Sequence, residues 1–113
     1  MAELNPVAKK WVAALRSGKI QQTRKQLGNK NGGRCCLGVL CDLAVEDGVI
    51  QDYYKYSGSL PRKVMRWAGL SDDMGEYKSK TSRRSLAGDN DTYNRSFAQI
   101  ADIIESQPEG LFV

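Results

Sequence analysis

Three cysteines lie close together within residues 33–44, at Cys35, Cys36 and Cys41, and the chain contains no histidine. A cysteine acts as a nucleophile when a neighbouring base or cation lowers the pKa of its thiol. Structural zinc sites use about four cysteine or histidine ligands. Three thiols that are adjacent or five residues apart do not complete such a set. Cys35 beside Arg34 is the best candidate nucleophile, but the pattern favours buried structural cysteines, with no metal and no cofactor.

Carboxylates are the remaining groups that could carry out acid–base catalysis. Asp42 and Glu46 are four residues apart, which places them on one helix face, where such pairs are usually solvated. Asp89 and Asp91 flank Asn90, and Asn90-Asp91 is typical of a turn or a helix cap. The sequence also lacks a Walker loop and the glycine pattern of a dinucleotide-binding turn. We therefore predict that the protein is not an enzyme.

Basic residues are concentrated in the N-terminal third. Residues 1–34 sum to a charge of +7, residues 35–61 to −3, residues 62–84 to +4 and residues 85–113 to −4. One interpretation is that the basic and acidic segments face each other or are solvated. The other is a basic surface that binds phosphates or an acidic partner. In the second interpretation, four side chains would hold phosphates by charge-assisted hydrogen bonds: Arg16, Lys19, Arg24 and Arg34.

A tyrosine cluster, Tyr53, Tyr54 and Tyr56, lies in a segment that is predicted to be extended or a loop. Aromatic side chains in such a segment can stack on a nucleic-acid base or anchor a partner protein. We expect these three to provide base stacking. Trp11 and Trp67, in contrast, lie in predicted helices and are expected to pack in the core.

Two helices are indicated most strongly by their caps. Asn5 followed by Pro6 predicts a helix over residues 5–17. The capping box that begins at Ser96 predicts a helix over residues 96–106. Too few residues follow this last helix for a recognition helix, which argues against a helix-turn-helix motif.

Two further helices are predicted between these ends. Apolar residues at helical spacing from Leu37 to Ala44 predict a buried helix that ends at Gly48. Pro61 begins another helix that ends at Gly69.

A hairpin is predicted near residues 20–36. Residues 20–27 fit either an exposed helix or a strand, and Asn31-Gly32 is a strong hairpin signal. We favour a short hairpin with residues 34–36 as the return strand. Residues 71–81 are predicted to be a long loop and residues 82–88 a short helical turn. The fold class is therefore α+β and mainly helical, with about four helices and one short β-hairpin in a single domain over residues 1–113.

Several segments along the chain match the pattern of a known family: 11–19, Gln22, 35–43, 60–61, 67–70, 90–91, 96–101 and 109–112. On these residues the sequence resembles a widespread family of small uncharacterised proteins from tailed phages and prophages. Ile20 stands where that family's pattern has tyrosine. The resemblance implies no activity, but it implies a protein that binds a host component rather than one that catalyses a reaction.

Together these features predict a non-enzymatic binding protein of the host-cell cytoplasm. No secretory signal or membrane span is apparent, and three cysteines cannot all pair. The expected partner is a phosphate-bearing nucleotide, such as a host immune signal that the protein would sequester. The alternatives are an inhibitor or adaptor that binds a host protein, and non-specific nucleic-acid binding through the basic third. A homo-oligomer is compatible with the sequence.

Overall fold

Five helices and one antiparallel hairpin form the described part of the chain. The structure, a computed structural model, describes residues 3–80 and 82–113. The helices are α1 (Pro6–Arg16), α2 (Cys36–Glu46), α3 (Arg62–Trp67), α4 (Leu86–Asp91) and α5 (Phe97–Glu105), and the strands are β1 (Glu76–Lys78) and β2 (Arg83–Ser85). The predicted α+β, mainly helical fold class is confirmed, with five helices instead of about four.

Helices α1 and α5 pack against each other, and both begin at the predicted caps. The Asn5 side chain accepts a hydrogen bond from the backbone N–H of Ala8 at 2.8 Å, and Pro6 follows as the first helical residue. Ser96 and Gln99 form the complete capping box of α5. On α1, Trp11 is fully buried and its indole N–H donates to the carbonyl of Cys36 at 2.8 Å. This bond joins α1 to the start of α2.

Helix α2 forms the centre of the core. Seven of its residues are buried: Cys36, Leu37, Gly38, Val39, Leu40, Cys41 and Ala44. A helix that is apolar on most sides must be covered on most sides, and α1, α3 and α4 all contact it. The predicted buried helix is thus confirmed, and so is the predicted third helix after Pro61.

The hairpin lies in a different place from the one predicted. β1 and β2 pair in register, with Tyr77 opposite Arg84. The predicted 71–81 loop therefore contains β1, while its Thr81 lies outside the described residues. The predicted helical turn over residues 82–88 contains β2 and the start of α4.

Residues 20–36 form a folded loop instead of the predicted hairpin. Asn31-Gly32 does make a tight turn, because Gly32 N–H donates to the carbonyl of Asn29 at 3.3 Å. However, Leu27 N–H donates to the carbonyl of Ser57 at 2.8 Å, and Gly28 N–H to that of Lys55 at 2.8 Å. Across the turn, Cys35 N–H still donates to the Leu27 carbonyl at 3.2 Å, and Gly28 forms an isolated antiparallel bridge with Arg34. Because the N–H groups of Leu27 and Gly28 have distant acceptors, this local pairing does not extend into a regular strand ladder.

The C-terminal segment packs onto the same core. Leu111 is fully buried, whereas Val113 is exposed. Phe112 forms an isolated antiparallel bridge with Leu70, which follows α3. Among the described residues, no helix has the length and apolar character needed to cross a membrane.

Candidate anion-binding site

The hairpin and helix α5 enclose an open pocket of about 540 Å³ whose wall carries three cationic side chains. We call it the cationic pocket. It is lined by Tyr77, Ser79, Lys80, Arg84, Arg95, Gln99, Asp102 and Ile103. Asp102 is the one carboxylate among these residues, so positive charge predominates in the wall.

Local structure explains how distant residues meet in this pocket. The register of the hairpin places Tyr77 of β1 directly opposite Arg84 of β2, and paired residues of this kind project on the same face. Arg95 immediately precedes the Ser96 cap of α5. On α5, positions three and four apart share a face, which brings Gln99, Asp102 and Ile103 to the pocket together.

A buried carboxylate lies behind the pocket wall. Asp89 of α4 is fully buried, and its Oδ2 accepts a short hydrogen bond from the Tyr77 hydroxyl. Arg84 Nη1 lies 3.9 Å from Asp89 Oδ1. Burial raises the pKa of Asp89, and the Tyr77 hydrogen bond and the charges of Arg84 and Arg95 oppose that rise. Arg84 and Arg95 thus lie near the carboxylate of Asp89, which is fully buried and therefore not accessible to a ligand.

Tyr77 is held as a neutral hydrogen-bond donor. Burial raises the pKa of its hydroxyl, and the hydrogen bond to Asp89 raises it further. Tyr77 therefore stays protonated at neutral pH and keeps the Asp89 oxygen occupied. The other oxygen of Asp89 lies 3.9 Å from Arg84. Asp89 therefore offsets the positive charge of Arg84 and Arg95 only in part.

The three cations of the wall lack strong partners among residues 3–80 and 82–113. In the described part of the chain, no carboxylate lies within hydrogen-bond distance of Lys80, Arg84 or Arg95. The Arg95 Nε atom is buried without an acceptor, and the Arg84 guanidinium carbon lies 4.7 Å from the centroid of the Tyr93 ring. Stacking on a ring leaves the in-plane N–H groups of an arginine available to an anion. The pocket can therefore bind an anionic group through charge-assisted hydrogen bonds.

Two of the four predicted phosphate ligands form ion pairs inside the protein. Arg16 Nη2 lies 2.6 Å from an Asp102 oxygen and 2.9 Å from a Glu105 oxygen, which joins α1 to α5. The hydrogen bonds to Glu105 and Asp102 raise the pKa of Arg16. Arg34 Nε lies 2.8 Å from Asp42 Oδ2 on α2.

The other two predicted phosphate ligands lie elsewhere. Arg24 Nε donates to the side-chain oxygen of Asn94 at 2.8 Å. Lys19 is exposed, just beyond the end of α1. The four residues therefore do not form one site, because Arg16, Arg24 and Arg34 are directed to partners on different elements. Arg16 reaches the rim of the cationic pocket through Asp102, and phosphate binding by the four residues stays a prediction.

The predicted tyrosine cluster divides into one structural and two exposed residues. The half-buried Tyr53 donates from its hydroxyl to Asp42 Oδ1 at 2.5 Å, so that Asp42 links it to Arg34. Burial, together with this hydrogen bond, raises the pKa of Tyr53. Tyr54 and Tyr56 are 72% and 55% exposed, with ring centroids 5.7 Å apart in an edge-to-face arrangement. Base stacking by these two tyrosines stays a prediction.

The cysteines are buried, as the sequence indicated. Burial raises the pKa of all three thiols, to about 12 for Cys41. A thiol with a raised pKa is almost entirely protonated at neutral pH, so it is a poor nucleophile and a poor metal ligand. Within the described residues, no three histidine, cysteine or acidic side chains lie close enough to hold a metal ion.

None of the residues that line the cationic pocket is among the ligand-binding residues predicted from the sequence. The available signal was the charge of +4 on residues 62–84, which includes Lys80 and Arg84. Asp89 was considered only as a catalytic carboxylate. Arg95 is the single basic residue of an acidic segment, so neither its charge nor its spacing indicated a site.

The fold and the pocket define a small α+β protein with a cationic pocket at the edge of a hairpin. A family model described as a domain of unknown function, DUF8296, matches residues 4–108, and the chain therefore belongs to this family. No curated protein and no solved structure matches the chain.

Proposed function

We propose that the protein binds a phosphate-bearing, nucleotide-type small molecule in the cationic pocket and does not transform it. The observation that carries this proposal is the convergence of Lys80, Arg84 and Arg95 on one pocket, without a carboxylate at hydrogen-bond distance in the described chain. Phosphate oxygens are strong acceptors for arginine and lysine N–H groups. A volume of about 540 Å³ lies within the range of small-molecule sites.

The ion pairs of α5 support the same site. Asp102 would weaken the attraction of the wall for an anion if its charge were free. Arg16 lies 2.6 Å from it and partly neutralises that charge. The predicted phosphate ligand Arg16 would thus act at the rim, by compensating a carboxylate, and not by direct contact.

The resemblance to phage proteins suggests a purpose for binding without turnover. We propose that a phage-encoded protein of this kind acts in the host cytoplasm, where it sequesters a nucleotide signal of host immunity. Tight binding alone lowers the free concentration of such a signal, so no catalytic group is required.

Isothermal titration calorimetry tests the proposal. The ligands are pyrophosphate, nucleoside mono- and diphosphates, and cyclic mono-, di- and oligonucleotides. Lys80→Ala and Arg95→Ala should each weaken binding about tenfold or more, because a hydrogen bond to a charged group contributes about 1.5–3 kcal/mol and 1.4 kcal/mol is tenfold. Lys78→Ala is the matched control, because Lys78 is exposed on the same hairpin but does not line the pocket.

Two results would contradict the proposal. One is the absence of binding across the whole ligand set. The other is an equal loss in Lys78→Ala, which would indicate attraction by net charge alone. Binding of long nucleic acids with a steep dependence on salt would favour the alternative of non-specific nucleic-acid binding.

The exposed Tyr54–Tyr56 pair favours a second candidate function, in which the protein is an adaptor or inhibitor of a host protein. Tyrosines are enriched at the centres of protein interfaces, and these two are held by a segment whose backbone is bonded to Leu27 and Gly28. This proposal predicts a stoichiometric partner in nuclease-treated lysate that the wild type retains and Tyr54→Ala loses. Equal retention by both proteins would rule out this surface.

A further inference from the structure

A second cavity lies next to the cationic pocket and shares one residue with it. This cavity has a volume of about 240 Å³ and is lined by Glu76, Arg83, Arg84, Ser85, Gly88 and Tyr93. Arg84 belongs to the walls of both cavities. A ligand that contacts Arg84 from the cationic pocket therefore has a neighbouring space to extend into.

The two cavities differ in charge. In the cationic pocket the wall cations have no carboxylate at hydrogen-bond distance among the described residues. In the second cavity, Glu76 lies 3.6 Å from Arg83, and the two charges largely offset each other. The remaining cation of this wall, Arg84, is shared with the cationic pocket and would contact the phosphate there. A second phosphate would also meet the Glu76 carboxylate, whereas an uncharged group would not be repelled. The second cavity is thus suited to an uncharged part of a ligand.

Tyr93 gives the second cavity an aromatic wall. Its ring is 55% exposed, and the Arg84 guanidinium lies over it at 4.7 Å from the centroid. This contact holds Arg84 at the boundary between the cavities by a cation–π interaction. Aromatic rings and arginine planes are the surfaces on which nucleobases stack in binding proteins.

We propose that the ligand has two parts, with its phosphates in the cationic pocket and a nucleobase in the second cavity against Tyr93 and Arg84. This inference rests on the proposed function and makes it specific. The site would select nucleotides over inorganic phosphates. Arg84 would contact both parts, as a hydrogen-bond donor to phosphate through its edge and as a stacking surface through its face.

The experiment compares pyrophosphate with the nucleoside diphosphates ADP, GDP, CDP and UDP by calorimetry. The wild type should bind at least one of these nucleotides about tenfold or more tightly than pyrophosphate. Tyr93→Leu should abolish most of this preference and leave the affinity for pyrophosphate within about twofold. Tyr93→Phe, which keeps the ring, should retain the preference. Val45→Ala is the matched control, because it removes an exposed apolar side chain from α2, which lines neither cavity.

The outcomes separate the two proposals. In one outcome, the wild type binds pyrophosphate, Lys80→Ala does not, and the wild type binds no nucleotide more tightly than pyrophosphate. The two-part ligand is then wrong, and the cationic pocket stands. An unchanged nucleotide preference in Tyr93→Leu would likewise overturn the assignment of Tyr93. If neither pyrophosphate nor any nucleotide binds, the proposed function fails, and the two-part ligand fails with it.

Discussion

Replacement of Gly38 by alanine should destabilise the protein, although helix propensity alone predicts that it stabilises the protein. Gly38 lies within α2, where replacement of glycine by alanine normally stabilises a helix by about 1 kcal/mol. A methyl group built at Gly38 would, however, lie 1.8 Å from the carbonyl oxygen of Leu27 and 3.2 Å from Arg34 Cδ. The oxygen is a backbone atom and cannot rotate away. Gly38→Ala must therefore displace the loop.

The loop is held on both sides of this contact. The Leu27 carbonyl accepts from Cys35 N–H at 3.2 Å, and Leu27 N–H donates to Ser57 at 2.8 Å. Overpacking a core costs about 1–3 kcal/mol, and loss of one hydrogen bond adds about 1 kcal/mol. We use the upper end of the overpacking range because the contact involves backbone. After subtracting the gain in helix propensity of about 1 kcal/mol, we expect Gly38→Ala to lower the free energy of unfolding by about 2–3 kcal/mol.

Urea denaturation followed by far-UV circular dichroism measures this change, which should also lower Tm by about 10 °C. Gly58→Ala is the matched control. A methyl group there would lie 3.8 Å from its nearest neighbour, the carbonyl of Lys25, and the residue has no positive φ. That variant should equal the wild type or be more stable by up to about 1 kcal/mol. If Gly38→Ala is as stable as the wild type, the close approach of loop and helix is refuted.

Three further predictions concern buried polar groups and thiols. Asn90→Ala should destabilise the protein by about 3 kcal/mol in urea titrations. The buried Asn90 side chain donates to the Thr23 carbonyl and accepts from Cys36 N–H, and both of these groups would lose a partner. A loss under about 1 kcal/mol would show that water replaces the Asn90 side chain. The three thiols should not react with a disulfide reagent at pH 8 in the folded protein but should all react in denaturant, since burial raises their pKa; rapid labelling of the native protein would contradict this. Burial raises the pKa of Asp89 above its ordinary value of 3.8, so Asp89 binds a proton more tightly in the folded protein than in the unfolded chain. The stability that this contributes is present at low pH and is lost as the pH rises. The stability of the wild type minus that of Asp89→Asn should therefore fall with pH from about 3.8 upward, and a constant difference would exclude a raised pKa.

Local signals were sufficient for most of the helices. The caps at Asn5 and Ser96 act within a few residues, and the sequence contains everything that they need. Helix α4 was predicted only as a helical turn. It contains Gly88 and Asn90, which have low helix propensity, and it is stabilised by the Ser85 cap, by burial of Leu86 and Ala87, and by the hydrogen bonds of Asn90. Such stabilisation depends on tertiary contacts.

The position of the hairpin also depends on tertiary contacts. Asn31-Gly32 correctly indicated a turn, but a turn does not determine whether the flanking residues pair with each other. Here the N–H groups of Leu27 and Gly28 donate to residues 55–57, which lie far away in the sequence, and Gly28 pairs with Arg34 only as an isolated bridge. The observed strands have three residues each and carry mainly polar or charged side chains, so their pattern predicted a loop at β1 and a helical turn at β2.

The cationic pocket could not be predicted from the sequence, for an electrostatic reason. All three arginines of residues 1–34 donate to side-chain oxygens elsewhere: Arg16 to α5, Arg24 to Asn94 and Arg34 to Asp42. The interpretation in which basic and acidic segments face each other therefore fits Arg16 and Arg34, which pair with carboxylates, whereas the partner of Arg24 is an uncharged amide. Charge summed along a segment does not give the charge offered to a ligand, because pairing in the fold removes part of it. Arg84 and Arg95 belong to segments with less positive charge, yet they keep hydrogen-bond donors that no carboxylate of the described chain occupies. A ligand phosphate is therefore expected at the hairpin, and not along the more basic N-terminal third.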